Sequence, residues 1–344
     1  MMKPNALSSS LVLLGLMALS VISCKRNIVA KKMTQNMAAY VYAFTSGTIS
    51  REQPVRIRFT SSLVKAEDVG KSVESGVFNI NPSVPGAAIW EDAQTIRFTP
   101  EKNFASGQSH VVSVRLKRLF KNVPSDAEEF QFDFRTRELY YEIIADGIQA
   151  ENANDMSRQD LMGEMNTSDR TDDAAIEQTL TANQNGKALK INWLHADDGM
   201  HHTFRVKEVT RGQAASKVSL ASNGKALGID KNDSQEVEIP AIGDFSVMNV
   251  RIVQEAEQYI KVNFSDPLST TQDLNGLIRI NDWAGNMRYA VDGNSVLFYP
   301  SERVTGDRNV FIEASVKNAQ GKTLKAPATY TLSFADVKPQ DELV

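Results

Sequence analysis

The chain has 344 residues, 38 Lys and Arg against 42 Asp and Glu for a formal charge of −4, and one cysteine. A mildly acidic, mixed-charge chain with no basic stripe interleaved with aromatics argues against nucleic acid as a partner. A lone cysteine excludes an internal disulfide framework and a cysteine-pair zinc site. The first element in chain order is a leader: Lys3, then an apolar run from Leu11 to Ile22. At about a dozen residues this run is too short to cross a hydrocarbon core of ~30 Å as a helix. It reads as a secretory signal.

Small Ser23 precedes Cys24, and a signal ending Val21-Ile22-Ser23-Cys24 resembles the lipobox of bacterial lipoproteins. The resemblance implies a signal peptide of residues 1–23, cleavage before Cys24, lipidation of its thiol and acylation of the new N-terminus. Several acyl chains anchor stably, since each buried CH₂ contributes ~0.8 kcal/mol. Residues 24–37 are basic and polar and read as a flexible tether. After cleavage about 320 residues remain, enough for two or three domains of ordinary size.

From residue 40 onward the apolar pattern has period two, the strand signal. Val55–Phe59, Ile96–Phe98, Val112–Leu116 and Phe130–Phe134 alternate in the first third. Phe204–Val206, Val218–Leu220, Val237–Ile239, Ile260–Phe264 and Val310–Ile312 follow. Ser106-Gly107, Asn185-Gly186, Asn223-Gly224 and Asp292-Gly293-Asn294 punctuate these runs as turns. The pattern predicts an all-β chain of tandem Ig-like sandwiches.

A repeat sharpens this. Phe59, Leu63 and Asp68-Val69 share their spacing with Phe264, Leu268 and Asp273-Leu274. Val77–Ile80 then matches Leu277–Ile280, and Thr95–Pro100 matches Ser295–Pro300. Proline cannot donate to a ladder, so Pro100 and Pro300 should end strands. Between the copies, Thr171-Asp172-Asp173 ahead of Ala174, Ile176 and Glu177 predicts a capped short helix. The expected domains are therefore 38–138, 139–243 with the helix, and 244–337, with 338–344 as a linker.

Taken together, Ala43–Ser50, Pro54–Phe59, Trp90-Glu91-Asp92, Thr95–Pro100, Gly243-Asp244-Phe245, Val253-Gln254-Glu255 and Tyr259–Pro267 resemble the N-terminal part of bacterial, Bacteroidetes-type alpha-2-macroglobulin lipoproteins. The resemblance covers essentially all of residues 24–344. It implies macroglobulin-type sandwiches and a non-catalytic domain array of a membrane-anchored protease trap. The family is far longer, and its bait and thioester regions are not found here, so the chain is expected to be a fragment. The implied partners are the membrane, through the lipid, and host or foreign proteases, through the missing C-terminal domains. Other envelope proteins are further partners, and the second reading is an envelope lipoprotein whose Ig-like domains bind or adhere. Lys25-Arg26-Asn27 follow the cysteine, with no acid before Glu52. Surface export in such bacteria is associated with early acidic residues, so the periplasmic face of the outer membrane is expected, the cell surface being the alternative.

Cys24 is the only site residue assigned; no catalytic, cofactor-binding or metal residue is. His195, Asp197, Asp198, His201 and His202 have metal-ligand chemistry, but no metalloprotease spacing or cysteine pair accompanies them. They read as a solvated turn, with His201 and His202 on opposite faces of a strand. Asp172-Asp173 and Glu91-Asp92 read as turn or cap carboxylates rather than acid–base pairs. Ser46-Gly47 lacks the setting of a hydrolase nucleophile. Phe59, Trp90, Phe98, Trp193, Phe264 and Phe298 read as core, and Trp283 lies in a turn.

Overall fold

Alternation of apolar and polar side chains makes each strand bury one face, and the strands pair into three sets of two sheets. The computed structural model describes residues 30–335, apart from 153–154 and 255–256. Cys24 and the 338–344 linker lie outside the described residues. The first unit contains β1 (Val41–Phe44), β2 (Gly47–Ile49), β3 (Val55–Phe59), β4 (Phe78–Asn81), β5 (Gly86–Trp90), β6 (Thr95–Pro100), β7 (Ser109–Val114) and β8 (Phe130–Thr136). Its sheets run β1-β3-β6-β5 and β2-β8-β7-β4. All ladders are antiparallel except β2 with β8. Val55, Ile57, Phe59, Ile96 and Phe98 from one sheet meet Val112, Val114, Phe130, Phe132 and Phe134 from the other.

The second unit contains β9 (Tyr141–Asn152), β10 (Asp155–Thr167), α1 (Asp173–Glu177), β11 (Leu180–Gln184), β12 (Lys187–Leu189), β13 (Ile191–His195), β14 (His201–Thr210), β15 (Ser216–Asn223) and β16 (Asn232–Ile239). Its sheets run β13-β14-β10-β9 and β12-β11-β15-β16. Asp172 caps α1 by accepting from the Ala175 N–H at 3.2 Å, and Ile176 is the helix residue that is buried. The third unit contains β17 (Val247–Gln254), β18 (Gln258–Phe264), β19 (Ile278–Ile280), β20 (Met287–Asp292), β21 (Ser295–Pro300), β22 (Gly306–Ile312) and β23 (Ala328–Phe334). Its sheets run β17-β18-β21-β20 and β19-β22-β23.

The repeat is visible in the topology. The order β1-β3-β6-β5 in the first unit is that of β17-β18-β21-β20 in the third, and β8-β7-β4 matches β23-β22-β19. Pro100 and Pro300 each end the strand that carries them. The first unit differs by the added parallel strand β2. Over the described residues the chain is thus all-β, tandem Ig-like sandwiches, with the short helix α1 in the middle unit.

The tether expected over 24–37 is folded at its C-terminal end. Met37 is buried in the first core, and Asn36 Nδ2 reaches both oxygens of Asp126 at 3.0 Å. The Lys31 N–H donates to Gln131 Oε1 at 3.3 Å. Residues 31–37 are polar apart from Met33 and Met37, and burial of the single Met37 in a core built by distant strands leaves no periodic trace.

Two measurements follow from the first core. Phe59 is 1% exposed and packs its ring near Trp90 and Phe120. Phe59→Ala should cost the first unit about 3–5 kcal/mol, read by denaturant unfolding followed at Trp90. A loss below about 0.5 kcal/mol would mean a strand register slipped by one residue.

His110 gives a pH dependence. It is fully buried, stacked on Phe134 and beside Phe104, and neither ring nitrogen makes a well-aligned hydrogen bond, the Pro82 carbonyl being its nearest polar influence. Burial lowers its pKa, and the Pro82 carbonyl offsets only part of that. The unfolded chain therefore takes up the proton first. Stability of the first unit is complete above the ordinary histidine value of about 6.5 and is lost as pH falls below it. His110 is the only histidine before His195. His110→Phe should flatten that slope between about pH 5 and 7; an unchanged slope would exclude His110 as its source.

Candidate functional site

Two polar clusters of the described residues involve the middle unit and hold buried charged or titratable groups. The first is its junction with the third unit. Arg211, just after β14, is 1% exposed. Its Nε donates to Pro240 O at 2.9 Å. Nη1 donates to Ser265 O at 3.1 Å and Asp266 Oδ1 at 3.0 Å. Nη2 donates to Ala241 O at 3.1 Å, Asp244 O at 2.8 Å and Asp266 Oδ2 at 3.2 Å. One guanidinium thus ties the second unit to the connecting segment and to the third unit.

A second contact lies farther along the same junction. Arg251 Nε and Lys261 Nζ both reach Asp146, each at 2.8 Å, and Arg251 also pairs with Glu164. Burial opposes the Arg251 charge, but the Asp146 and Glu164 carboxylates outweigh it and raise its pKa. Gly147 makes the approach possible. Its φ is +148°, and a Cβ there would meet Met248 Cβ at 3.1 Å. Asn294 Nδ2 donates across the junction to Ile148 O at 2.8 Å. Beside these contacts lies a cleft of about 670 Å³ whose lining includes Gln149, Trp193, Tyr259, Lys261 and Asp292.

The second place is the β13–β14 hairpin. His195 and His202 are cross-strand partners and share a face. Their Nδ1 atoms are 2.8 Å apart. His195 Nε2 is 3.3 Å from Glu177 Oε1, and His195 Nδ1 is 3.6 Å from Asp173 Oδ1. His202 Nε2 is 3.3 Å from Thr171 Oγ1. Trp193 lies parallel to the His195 ring at a 6.0 Å centroid distance. Burial and the neighbouring His195 lower the His202 pKa.

The structure divides the residues read as one solvated turn. Asp198 and His201 do lie on the exposed side, paired at 2.5 Å. Backbone donation from Met200 is the largest of the causes that bring the Asp198 pKa down to about 2. His202, by contrast, is 0% exposed, and the His195 side chain is only 15% exposed. Here the solvated-turn reading fails, because α1 supplies Asp173 and Glu177 beside this face. The residue numbers do carry a signal: 195 and 202 are symmetric about the Asp198-Gly199 turn.

Elsewhere, Asp173 joins the histidine pair while Asp172 only caps the helix. Glu91 is paired with Arg56 at 2.7 Å and Asp92 accepts from the Gln94 N–H at 2.7 Å, so the two serve different partners. Trp283 packs against the third core rather than standing clear of it. Arg211 and Asp146 were missed by sequence reasoning, since charged residues next to strands ordinarily face water.

No protein-family model matches the chain, and no curated protein does. Among solved structures, a Bacteroides ovatus mixed-linkage glucan utilization protein, SGBP-B, in complex with a heptasaccharide is 8% identical, covering 90% of this chain and 69% of its own at a TM-score of 0.23. Domains 1–6 of the surface layer protein SbsC are 8% identical over 87% of this chain and 54% of that one, with a TM-score of 0.20. L,D-transpeptidase 3 from Mycobacterium tuberculosis is 10% identical over 50% and 77%, with a TM-score of 0.22. Likenesses this distant carry no argument about function.

Breaking the Arg211 clamp should be costly. Arg211→Met leaves Asp266 buried without its partner, a loss of about 3–5 kcal/mol. It should lower the unfolding midpoint read at Trp193 and Trp283 and leave that at Trp90 unchanged. Small-angle scattering of the variant should show a broader distribution of distances. Unaltered scattering and stability would mean the clamp does not set the junction.

Proposed function

We propose that the chain is a non-catalytic, lipid-anchored array of sandwich domains, the N-terminal portion of an alpha-2-macroglobulin-like protease inhibitor. The observation that carries this reading is the junction between the second and third units, where a buried Arg211–Asp266 pair fixes one domain on the next. A spacer needs domains held at set angles, and such a pair penalises every other arrangement. The lipid on Cys24 would hold the array on the periplasmic face of the outer membrane. The trapping chemistry is assigned to domains outside residues 1–344. A second reading, an envelope lipoprotein that binds a ligand, is favoured by the 670 Å³ cleft at the same junction.

The test uses cells making the whole chain, wild type or Cys24→Ala, labelled with an alkyne fatty acid and then treated with protease. Label should appear in the wild type only, and the protein should resist digestion until the outer membrane is opened. Equal labelling would overturn the anchor. Extensive digestion of intact cells would place the chain at the surface and favour the binding module.

A further inference from the structure

The histidine pair can turn its two lone-pair nitrogens toward each other. Glu177 Oε1 lies 3.3 Å from His195 Nε2. A carboxylate only accepts, so that nitrogen carries the ring proton and His195 Nδ1 is bare. Thr171 Oγ1 lies 3.2 Å from Gly199 O, an acceptor for its one proton. With that proton donated to Gly199 O it accepts from His202 Nε2, 3.3 Å away, and in this tautomer His202 Nδ1 is bare as well. The two bare nitrogens face each other at 2.8 Å with the Asp173 carboxylate alongside. In these tautomers two lone pairs and a negative charge converge on one point, which a shared proton or a metal cation satisfies.

We propose that His195 Nδ1, His202 Nδ1 and the Asp173 carboxylate form a binding site for a divalent transition metal, zinc foremost. The three donor atoms already lie within 4.8 Å of one another. Tetrahedral zinc with bonds of about 2.0–2.1 Å spaces two nitrogens by about 3.3 Å, so each ring needs only a small rotation. Imidazole and carboxylate donors suit zinc over magnesium or calcium. Each ring's outer N–H already has an acceptor, Glu177 or Thr171, as metal-bound histidines require. Asp173 is on the solvent side, 61% exposed, which leaves a path for the ion and a fourth position for water. The bound ion would staple α1 onto the β13–β14 hairpin.

The test is titration of the purified, chelator-stripped whole chain with Zn²⁺ by calorimetry and with Co²⁺ by absorption and Trp193 emission. One zinc per chain, visible cobalt bands of tetrahedral type and quenching of Trp193 are expected. His195→Gln and Asp173→Asn should weaken zinc by about tenfold or more, and Glu177→Gln by about 10–100-fold. All three side chains reach solvent, so these variants keep the test decisive if His202→Ala fails to fold. His201→Ala, on the opposite face, should bind as the wild type does. The proposal falls if zinc is not taken up, if uptake survives both His195→Gln and Asp173→Asn, or if His201→Ala abolishes it. Binding lost in His195→Gln but unchanged in Asp173→Asn would remove Asp173 from the donor set.

Discussion

A guanidinium removed from water must have its donors met by protein, and Arg211 imposes that requirement on the whole second half of the molecule. Its acceptors are five groups spread over three places: Pro240 and Ala241 at the end of the second unit, Asp244 in the connection, and Ser265 and Asp266 in the third. If the third unit rotates, Asp266 leaves first and the cation is stranded. A buried charge without its partner costs several kcal/mol, more than a connecting loop recovers in entropy by moving freely. The geometry of the junction is therefore a consequence of one side chain's satisfaction, and the nearby Asp146–Arg251–Lys261 contact adds a second fixed point.

The other junction is built differently. Asp169, 1% exposed, accepts the Arg51 backbone N–H at 2.8 Å, and Arg137 lies 3.6 Å from it. Another ion pair across this boundary, Arg170 with Glu52 at 3.0 Å, has both side chains close to half exposed. Pairs of that kind contribute about 0–1 kcal/mol. The middle unit thus grips its two neighbours unequally. It is also the unit that departs from the repeated template, with the long β9–β10 hairpin and the Gly147 approach that the outer units lack.

Legibility in the sequence follows the range of the interaction. Strands such as Val55–Phe59 and Ile260–Phe264 announce themselves because their alternation is local and one face is buried. Strand ends at Pro100 and Pro300 are equally local, since a missing N–H cannot be repaired from elsewhere. The capped helix at Asp172 is readable for the same reason. What was not readable depends on distant partners. Met37 looks like part of a tether until Lys31 is seen to reach Gln131 and Asn36 to reach Asp126. Arg211 and Asp266 are 55 residues apart and each resembles a surface charge beside a strand. His202 lies beside Thr171 and His195 beside Asp173 and Glu177, and nothing in the hairpin's own sequence shows those neighbours.

These long-range contacts share one physical form: a polar group withdrawn from water at a place where elements from different parts of the chain meet. Each restricts the fold more than an apolar contact of similar area would, because a hydrogen-bonded charge tolerates little displacement whereas an aliphatic surface can slide. Apolar alternation explains why there are sandwiches at all. It does not explain why the second and third keep one relation to each other, since the edges and ends of β-sandwiches are otherwise interchangeable surfaces. Arg211 supplies that specification. Apolar replacement of the whole Arg211–Asp266 pair could preserve or raise stability while loosening the angle between the two units. A charge is useful here because it rejects alternative arrangements, which added apolar burial would not do.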